Sequence, residues 1–174
     1  MTRWLSADEQ TVWRRYLGAT QLVQEALEHQ LQAEAHVPHA YYEILVRLSE
    51  APSRSLRMSQ LAGKALASKS RVSHAVTRLE ERGWVTRTEC PTDGRGQVAT
   101  LTDAGLAALA AAAPGHVEKV RSVLFDALSQ EQVVQLGEIS AAVLAHLGQD
   151  AAPPCPQASA AAPATPTPAV AASR

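Results

Sequence analysis

Residues 68–102 carry the pattern that most constrains the fold, because a helical period changes there to a strand period. In the first half, four apolar residues recur at a spacing that places them on one face of a helix: Val72, Ala75, Val76 and Leu79. Ser68 can cap the start of this helix, and Gly83 can adopt the left-handed conformation that ends it. The stretch therefore predicts a helix with one face for a core and a polar face pointing away from it.

The second half of the stretch predicts a β-hairpin. Branched and aromatic residues form two short runs, 84–86 and 97–101, and the segment between them, 91–96, reads Pro-Thr-Asp-Gly-Arg-Gly. Such a segment is typical of a turn. An arginine at a hairpin tip beside a basic helix suits a nucleic-acid groove. The narrow, strongly negative minor groove favours an inserted guanidinium such as that of Arg95.

The charge distribution also points to a polyanionic partner. The chain has a net charge of −1, but residues 54–97 contain nine basic and four acidic residues, a local charge of +5 that leaves −6 elsewhere. A net charge near zero would by itself argue against a nucleic-acid-binding protein. The concentration of bases around the predicted helix and hairpin argues for one.

The N-terminal third predicts two helices. Ser6 and Glu9 form a capping-box pattern that opens a long helix reaching about Ala35. Pro38 suits the start of a second helix, which must stop before Pro52 because a residue that precedes proline avoids the helical region.

A helix-turn-helix is predicted next. Residues 55–57 form a short extended piece that can pair with the hairpin as a third strand, and residues 59–66 predict a short third helix with Leu66 facing inward. Only a few residues separate that helix from the basic one that begins after Ser68. Two helices joined so tightly, the second basic on its free face, are typical of DNA-binding helix-turn-helix units.

The C-terminal part predicts two more helices. Thr102 caps the fifth, with a bend expected near 114–115, and the capping pattern at 129–132 opens the sixth. The sixth helix carries a narrow apolar seam: Val133, Leu136, Ile139, Val143 and Leu147. This seam and the broad apolar face of the first helix exceed what one small domain can cover, which predicts a homodimer formed through both termini.

The predicted architecture is mainly α with a small β-wing: six helices, a two- to three-stranded antiparallel hairpin and a helical dimerisation region from both termini. The predicted divisions are 1–50 for N-terminal dimerisation and support helices, 51–102 for the winged helix-turn-helix, 103–148 for C-terminal dimerisation helices and 149–174 for a disordered Pro/Ala-rich tail.

Composition and motifs exclude several other classes. Two cysteines make neither a disulfide framework nor a metal site, and no signal peptide or long apolar run is visible, so we expect a cytoplasmic protein. The segment 94–96 is too short and wrongly placed for a phosphate loop, and the histidines are scattered. The chain shows no catalytic constellation and is not expected to be an enzyme.

Taken together, these motifs resemble those of the multiple-antibiotic-resistance regulator (MarR) family of bacterial winged-helix repressors. The resemblance covers about residues 6–148 and rests on Ser-Arg-Val-Ser at 70–73, Arg-Leu-Glu-Glu-Arg-Gly-Trp-Val at 78–85 and Asp-Gly-Arg-Gly at 93–96. It implies a dimer whose recognition helices enter successive major grooves while the wings touch minor grooves. It also implies a small-molecule cleft between the dimerisation helices and the DNA-binding lobe, and repression of transcription until a ligand binds.

The candidate DNA-binding residues lie on the free face of the basic helix and at the wing tip: Ser68, Lys69, Ser70, Arg71, Ser73, His74, Thr77, Arg78 and Arg95. Alternatively, Arg71 and Arg78 are solvated or paired with Glu81 or Glu80. Asp93 is expected to pair with Arg95 or Arg87 and so to stabilise the wing.

The candidate ligand-binding residues are aromatic or imidazole side chains that would border the cleft: Trp13, Tyr16, His39, Tyr42 and His116. An aromatic wall with one or two polar groups suits a small aromatic or phenolic effector. At these spacings, however, aromatic residues are more often plain core. No cofactor is expected.

Two further sensing chemistries are suggested by single residues. His36, His39 and Glu43 suggest zinc, but Pro38 breaks the register and no fourth ligand is evident, so no metal site is predicted. Thiol sensing is a second possibility, through Cys90 in the hairpin or Cys155 in the tail. A structural role fits these two positions better.

The sequence thus predicts a sequence-specific double-stranded DNA-binding transcriptional regulator. It would act as a ligand-responsive homodimeric repressor on a pseudo-palindromic operator. The alternative is a winged-helix module that binds proteins and not DNA, for which a mixed-charge free helix face would be expected.

Overall fold

The computed structural model of the chain describes residues 1–65, 67–90 and 93–148, with the backbone alone for 93–95. These residues form six α-helices and a three-stranded antiparallel sheet, which confirms the predicted fold class. The helices are α1 Ala7–Ala35, α2 His39–Ser49, α3 Met58–Lys64, α4 Lys69–Glu81, α5 Asp103–Val123 and α6 Gln130–His146. The strands are β1 Ser55–Arg57, β2 Val85–Cys90 and β3 Asp93–Leu101.

The chain divides into two compact units, residues 1–129 and residues 130–174. The first unit holds α1 to α5 and the sheet, and the described part of the second is α6 with the residues that follow it to 148. Within the described residues, no helix has both the length and the apolar content needed to cross a membrane.

The predicted helix caps are present. Ser6 and Glu9 form a reciprocal capping box, in which the Glu9 amide donates to Ser6 Oγ (3.1 Å) and the Ser6 amide donates to Glu9 Oε2 (2.7 Å). Ser68 and Thr102 each accept a hydrogen bond from the first turn of the helix that follows. Gly83, two residues after α4, has a φ of 71°. Local side-chain chemistry therefore sets where these helices begin and end.

The hydrophobic core of the first unit is built where α2, α3, α4 and the sheet meet. All four apolar residues of α4 that were predicted to face inward lie within it. The largest fully buried side chains are Leu31, Leu45, Leu48, Leu61, Leu79, Val72, Val76 and Val85. This core holds α4 along one whole face and leaves the opposite face to solvent.

The sheet has the spatial order β1-β3-β2, so the predicted third strand is confirmed. Its register pairs Leu56 with Ala99 on one side of β3 and Thr88 with Val98 on the other. Helix α3 begins at Met58 and ends at Lys64, and is thus shorter than predicted. The expected inward position of Leu66 falls outside the described residues.

The wing strands are longer than the sequence predicted, and the turn assigned to residues 91–96 is too long. Strand β3 already begins at Asp93, and the pairing shifts from Glu89 with Gln97 to Cys90 with Asp93. Residues 94–96 therefore form an irregularity within the strand. Glycines on both sides of Arg95 permit it, because glycine lacks the Cβ that restricts backbone conformation.

The C-terminal helices follow the predicted order. Helix α5 continues through Pro114, and α6 begins at Gln130, immediately after the predicted cap. On α6, the side chain of Ile139 is 62% exposed and that of Val143 is 49% exposed. The predicted tail, 149–174, lies outside the described residues.

Gly105, in the first turn of α5, provides a test of this packing. A methyl group there would overlap the carbonyl oxygen of Trp84 and lie 2.8 Å from Leu101 Cδ1. Gly105→Ala should therefore lower the free energy of unfolding by about 1–3 kcal/mol, measured by urea denaturation. Gly63→Ala in α3 is the control, because its methyl group would meet nothing within 4 Å and should be neutral or stabilising. Equal effects of the two substitutions would contradict the packing described.

Candidate nucleic-acid interface

Helix α4 presents two chemically distinct faces. Val72, Ala75, Val76 and Leu79 are at most 5% exposed. The predicted contact residues occupy the remainder of the helix: Ser68, Lys69, Ser70, Arg71, His74 and Arg78 are exposed, and Ser73 and Thr77 are partly buried. The helix therefore offers a polar, basic surface that its own core cannot cover.

Basic and small polar side chains are concentrated at the start of α4. Ser68 Oγ accepts a hydrogen bond from the Arg71 amide (3.3 Å), so the first turn is held by its cap. Lys69 and Arg71 follow the cap at the positive end of the helix dipole. A helix start that combines backbone amides with cationic side chains is well suited to bind phosphate.

A hydrogen-bonded network joins α4 to β2. Arg87 Nε lies 2.5 Å from Glu80 Oε2, and the Arg87 amide donates to Glu80 Oε1 at 3.0 Å. The same guanidinium donates to Thr77 Oγ1 (3.2 Å), and this hydroxyl in turn donates to the Ser73 carbonyl (3.0 Å). The network fixes the start of the wing against α4.

This network gives Arg87 a carboxylate partner that the sequence pattern did not indicate. Arg87 was expected as one of two possible partners of Asp93, but the carboxylate that it contacts among the described residues is Glu80. The side chains of Asp93 and Arg95 lie outside what the structure describes, so their pairing and the position of the Arg95 guanidinium stay predictions. Glu80 and Thr77 lie one turn apart on α4, and the packing of β2 against that helix brings Arg87 to both of them. This packing cannot be read from the sequence.

Arg78 is engaged by a neighbour on its own helix. Its NH1 atom lies 2.8 Å and 3.1 Å from the two carboxylate oxygens of Glu81, and both side chains are about half exposed. The hydrogen bond to Glu81, followed by its charge, raises the pKa of Arg78 above its ordinary value. This is the pairing that the sequence indicated as an alternative for Arg78. Contact with DNA would require the pair to open or to be shared.

The predicted ligand residues fall into two groups within the chain. Trp13 and Tyr16 stack on the exposed part of α1, with ring centroids 6.1 Å apart. His39, Tyr42 and His116 form a second cluster, in which His116 lies 4.4 Å from Tyr42 and 5.7 Å from His39 between ring centroids.

The helix geometry separates these two groups. Glu28 of α1 accepts a hydrogen bond from the His39 amide at 2.8 Å. Tyr16 lies about 18 Å from Glu28 along the helix axis, at a rise of about 1.5 Å per residue. Burial, and then the nearby His39, lower the pKa of His116 below its ordinary value of 6.5. The neutral imidazole of His116 thus belongs to a half-buried aromatic cluster.

A groove of about 500 Å³ lies between α1, α2 and the start of α4. His39 is the one predicted ligand residue among those lining it, and Arg71 of α4 also lines it. The groove therefore connects α1 and α2 directly with the basic surface.

The structure bears on the two other sensing chemistries. Within the described residues, no group of three or more His, Cys, Asp or Glu side chains is arranged to hold a metal ion, so His36, His39 and Glu43 do not form one. Cys90 is buried, and Cys155 lies outside the described residues.

The fold and this surface define the class of protein: α3, α4 and the β2–β3 hairpin form a winged helix-turn-helix. The MarR family model matches residues 38–96. Sco3205, a MarR family transcriptional regulator from Streptomyces coelicolor solved in complex with DNA, is 52% identical with a TM-score of 0.81, over 84% of this chain and 92% of that one. AbsC, a MarR family regulator from the same organism, is 41% identical with a TM-score of 0.79, over 85% and 100% of the two chains. The chain belongs to the MarR family of transcriptional regulators.

More distant structures agree in fold. A cysteine-to-serine mutant of MarR from E. coli, solved in complex with operator DNA, is 20% identical with a TM-score of 0.69, over 77% of this chain and 94% of that one. A comparison with curated protein sequences gave no significant match.

The α4–β2 network generates a prediction about coupling. In a double-mutant cycle with Glu80→Gln and Arg87→Met, we expect a coupling energy of about 1 kcal/mol or more in urea denaturation, because both side chains are only about a quarter exposed. The Arg78 and Glu81 pair is the matched comparison on the same helix, and its coupling should be smaller because it is solvated. The assignment is wrong if the exposed pair couples as strongly as the partly buried one.

Proposed function

We propose that this protein is a homodimeric repressor of transcription that binds a pseudo-palindromic double-stranded DNA operator in the bacterial cytoplasm and responds to a small ligand. The observation that carries the proposal is the division of α4 into a buried apolar face and an exposed basic face. The DNA complex of the 52% identical regulator from Streptomyces coelicolor supports the same partner for this chain.

In this proposal α4 enters the major groove by its N-terminal end. Lys69 and Arg71 reach phosphates or guanine edges, while the smaller side chains at 68, 70, 73 and 74 approach base edges. Thr77 and Arg78 extend the contact along the helix. Arg78 exchanges Glu81 for phosphate, which is feasible because an exposed ion pair is weak.

The wing supplies the second contact. Arg95 lies at the glycine-flanked irregularity of β3, and we assign its guanidinium to the minor groove beside the recognition helix. Arg87 supports this role by joining β2 to α4 through Glu80. The proposed pairing of Asp93 within the wing would fix the tip further.

Exposed apolar side chains support the proposed homodimer. On α1 they include Val12, Trp13, Tyr16, Leu17 and Leu22, and on α6 they include Val134, Ile139 and Val143, with Leu147 directly after its last residue. Apolar faces of this extent are usually covered by another subunit. We therefore assign residues 1–50 and 103–148 to dimerisation and support, and 51–102 to DNA binding.

A ligand response is supported by the groove that touches both functional regions. It is bounded by α1 and α2 of the support region and by α4 of the DNA-binding region. The aromatic cluster of His39, Tyr42 and His116 borders it through His39. A molecule wedged there would change how α4 is held, which is the basis for effector control of DNA affinity.

The alternative is a winged-helix module that binds only proteins. The exposed cations at the start of α4 favour the nucleic-acid partner, since a protein-binding face would show both charges there. Salt-dependent DNA binding distinguishes the two.

The DNA assignment is tested with fragments selected from genomic DNA by the purified protein, followed by fluorescence anisotropy at several salt concentrations. Arg95→Ala and Lys69→Ala should weaken binding to all sequences and flatten the dependence of log affinity on log salt, by about one unit for each phosphate that is no longer neutralised. Ser70→Ala and Arg71→Ala should change sequence preference. Lys119→Ala on α5 is the control and should leave binding unchanged. If the wing and helix variants match the control, the interface is misplaced.

The dimer is tested by sedimentation equilibrium. The wild type should show twice the 18.5 kDa chain mass. Leu22→Glu and Ile139→Glu, which add a charge to exposed apolar positions on α1 and α6, should shift the mass toward one chain. Gln97→Glu in the exposed part of the wing should keep the dimer. A wild type that sediments as a monomer at micromolar concentration would exclude the proposed assembly.

A further inference from the structure

The groove between α1, α2 and α4 has an unusual charge for a cleft beside a DNA-binding helix. Among its lining residues are three carboxylates, Glu25, Glu28 and Glu43, and one guanidinium, Arg71. The imidazoles of His29 and His39 complete its ionisable groups. The three carboxylates and the one guanidinium together give the groove two more negative than positive formal charges.

The hydrogen-bond donors described for Glu25 and Glu28 are uncharged amides, so these contacts do not offset the charge of the two carboxylates. Glu25 accepts from the Gln21 amide group at 2.9 Å, and Glu28 accepts from the Gln32 amide group at 3.1 Å and from a backbone amide. Glu43 has a cationic partner, but the contact with Arg47 is 3.9 Å long.

Between these charges the floor of the groove is apolar. Ile44 and Val72 are 2% and 1% exposed and both line it, together with alanines at 40, 65, 67 and 75. An apolar floor with a few directed polar groups is typical of a small-molecule site. The volume of about 500 Å³ is in the range for a ligand of drug size.

We propose that this groove binds an amphiphilic organic cation, whose apolar body lies against the alanines at 40, 65 and 67 and whose positive charge is held by Glu25, Glu28 and Glu43. The inference rests on the proposed ligand response and names the chemical class of the ligand. Among the small aromatic effectors expected from the sequence, one that carries a carboxylate would set it against these three.

Arg71 links this site to DNA. It lines the groove and stands in the first turn of the recognition helix, and it forms no ion pair with any described residue. In this proposal the net negative charge of the groove attracts the Arg71 guanidinium without direct contact, and the DNA phosphates attract it as well. A bound cation occupies the carboxylates and repels Arg71 toward the DNA, so the ligand strengthens DNA binding and acts as a co-repressor.

Binding is tested by isothermal titration calorimetry of the full chain with tetraphenylphosphonium and with tetraphenylborate, which have nearly the same shape and opposite charge. The cation should bind about tenfold more tightly than the anion. Combining Glu25→Gln, Glu28→Gln and Glu43→Gln should remove this preference, since glutamine nearly matches glutamate in size, keeps one acceptor oxygen and carries no charge.

The matched control combines Glu118→Gln, Glu131→Gln and Glu138→Gln, three exposed residues that do not line the groove, and changes the net charge equally. It should keep the cation preference. Equal affinity for the two ions, a preference for the anion, or an unchanged preference in the groove variant would overturn the inference. If the triple variant does not fold, Glu25→Gln alone should lower the preference for the cation over the anion by a smaller factor. An unchanged preference in this single variant would also overturn the inference.

The coupling is tested separately with the selected DNA. Tetraphenylphosphonium should raise the DNA affinity of the wild type about fivefold and leave that of Arg71→Ala unchanged. Cation binding without this effect would overturn the role of Arg71 and leave the ligand class supported. If no DNA is bound at all, the proposed function fails, whereas calorimetry still decides what the groove binds.

Discussion

The burial of one face of α4 is the interaction on which the structure depends. Val72, Ala75, Val76 and Leu79 pack into a core shared with α2, α3 and the sheet. Each buried aliphatic side chain contributes about 1.5–3 kcal/mol to folding. Because this contact fixes the rotation of the helix, it also determines which side chains remain outside. The basic surface is thus a direct consequence of the apolar pattern.

Around that surface, acidic side chains determine which basic side chains already form salt bridges in the protein without DNA. Glu80 holds Arg87 and so positions the wing, and Glu81 occupies Arg78. Lys69 and Arg71, at the start of the helix, have no such partner on α4 among the described ion pairs. DNA bound as proposed would therefore meet the N-terminal turn first, and the proposed ligand in the acidic groove would lie beside one of these two charges.

The sequence predicted those parts of the fold that depend on local chemistry. The caps at Ser6, Ser68 and Thr102 set helix starts that the structure confirms, and the residues at 55–57 form the expected third strand. The wing was less predictable. Glycine and proline at 91–96 indicated a turn, but pairing with β2 extends β3 back to Asp93, and this pairing depends on tertiary context.

The candidate site shows the same limit. The free face of α4 follows from helical periodicity, so its residues were predictable as a set. The pairing of Glu80 with Arg87 and the gathering of Glu25, Glu28 and Glu43 around one groove require the relative positions of three or more elements. Trp13 and Tyr16 were grouped with His39 because aromatic composition does not encode distance along a helix.

The most direct test is the chemical accessibility of the free face of α4 with and without DNA. In a protein lacking Cys155, the alkylation rate of a cysteine introduced by Ser70→Cys should fall sharply when the selected DNA is bound. A cysteine introduced by Glu118→Cys should react at the same rate in both states. If the cysteine at position 70 stays equally reactive while anisotropy shows the DNA bound, another surface contacts the duplex and the account is wrong.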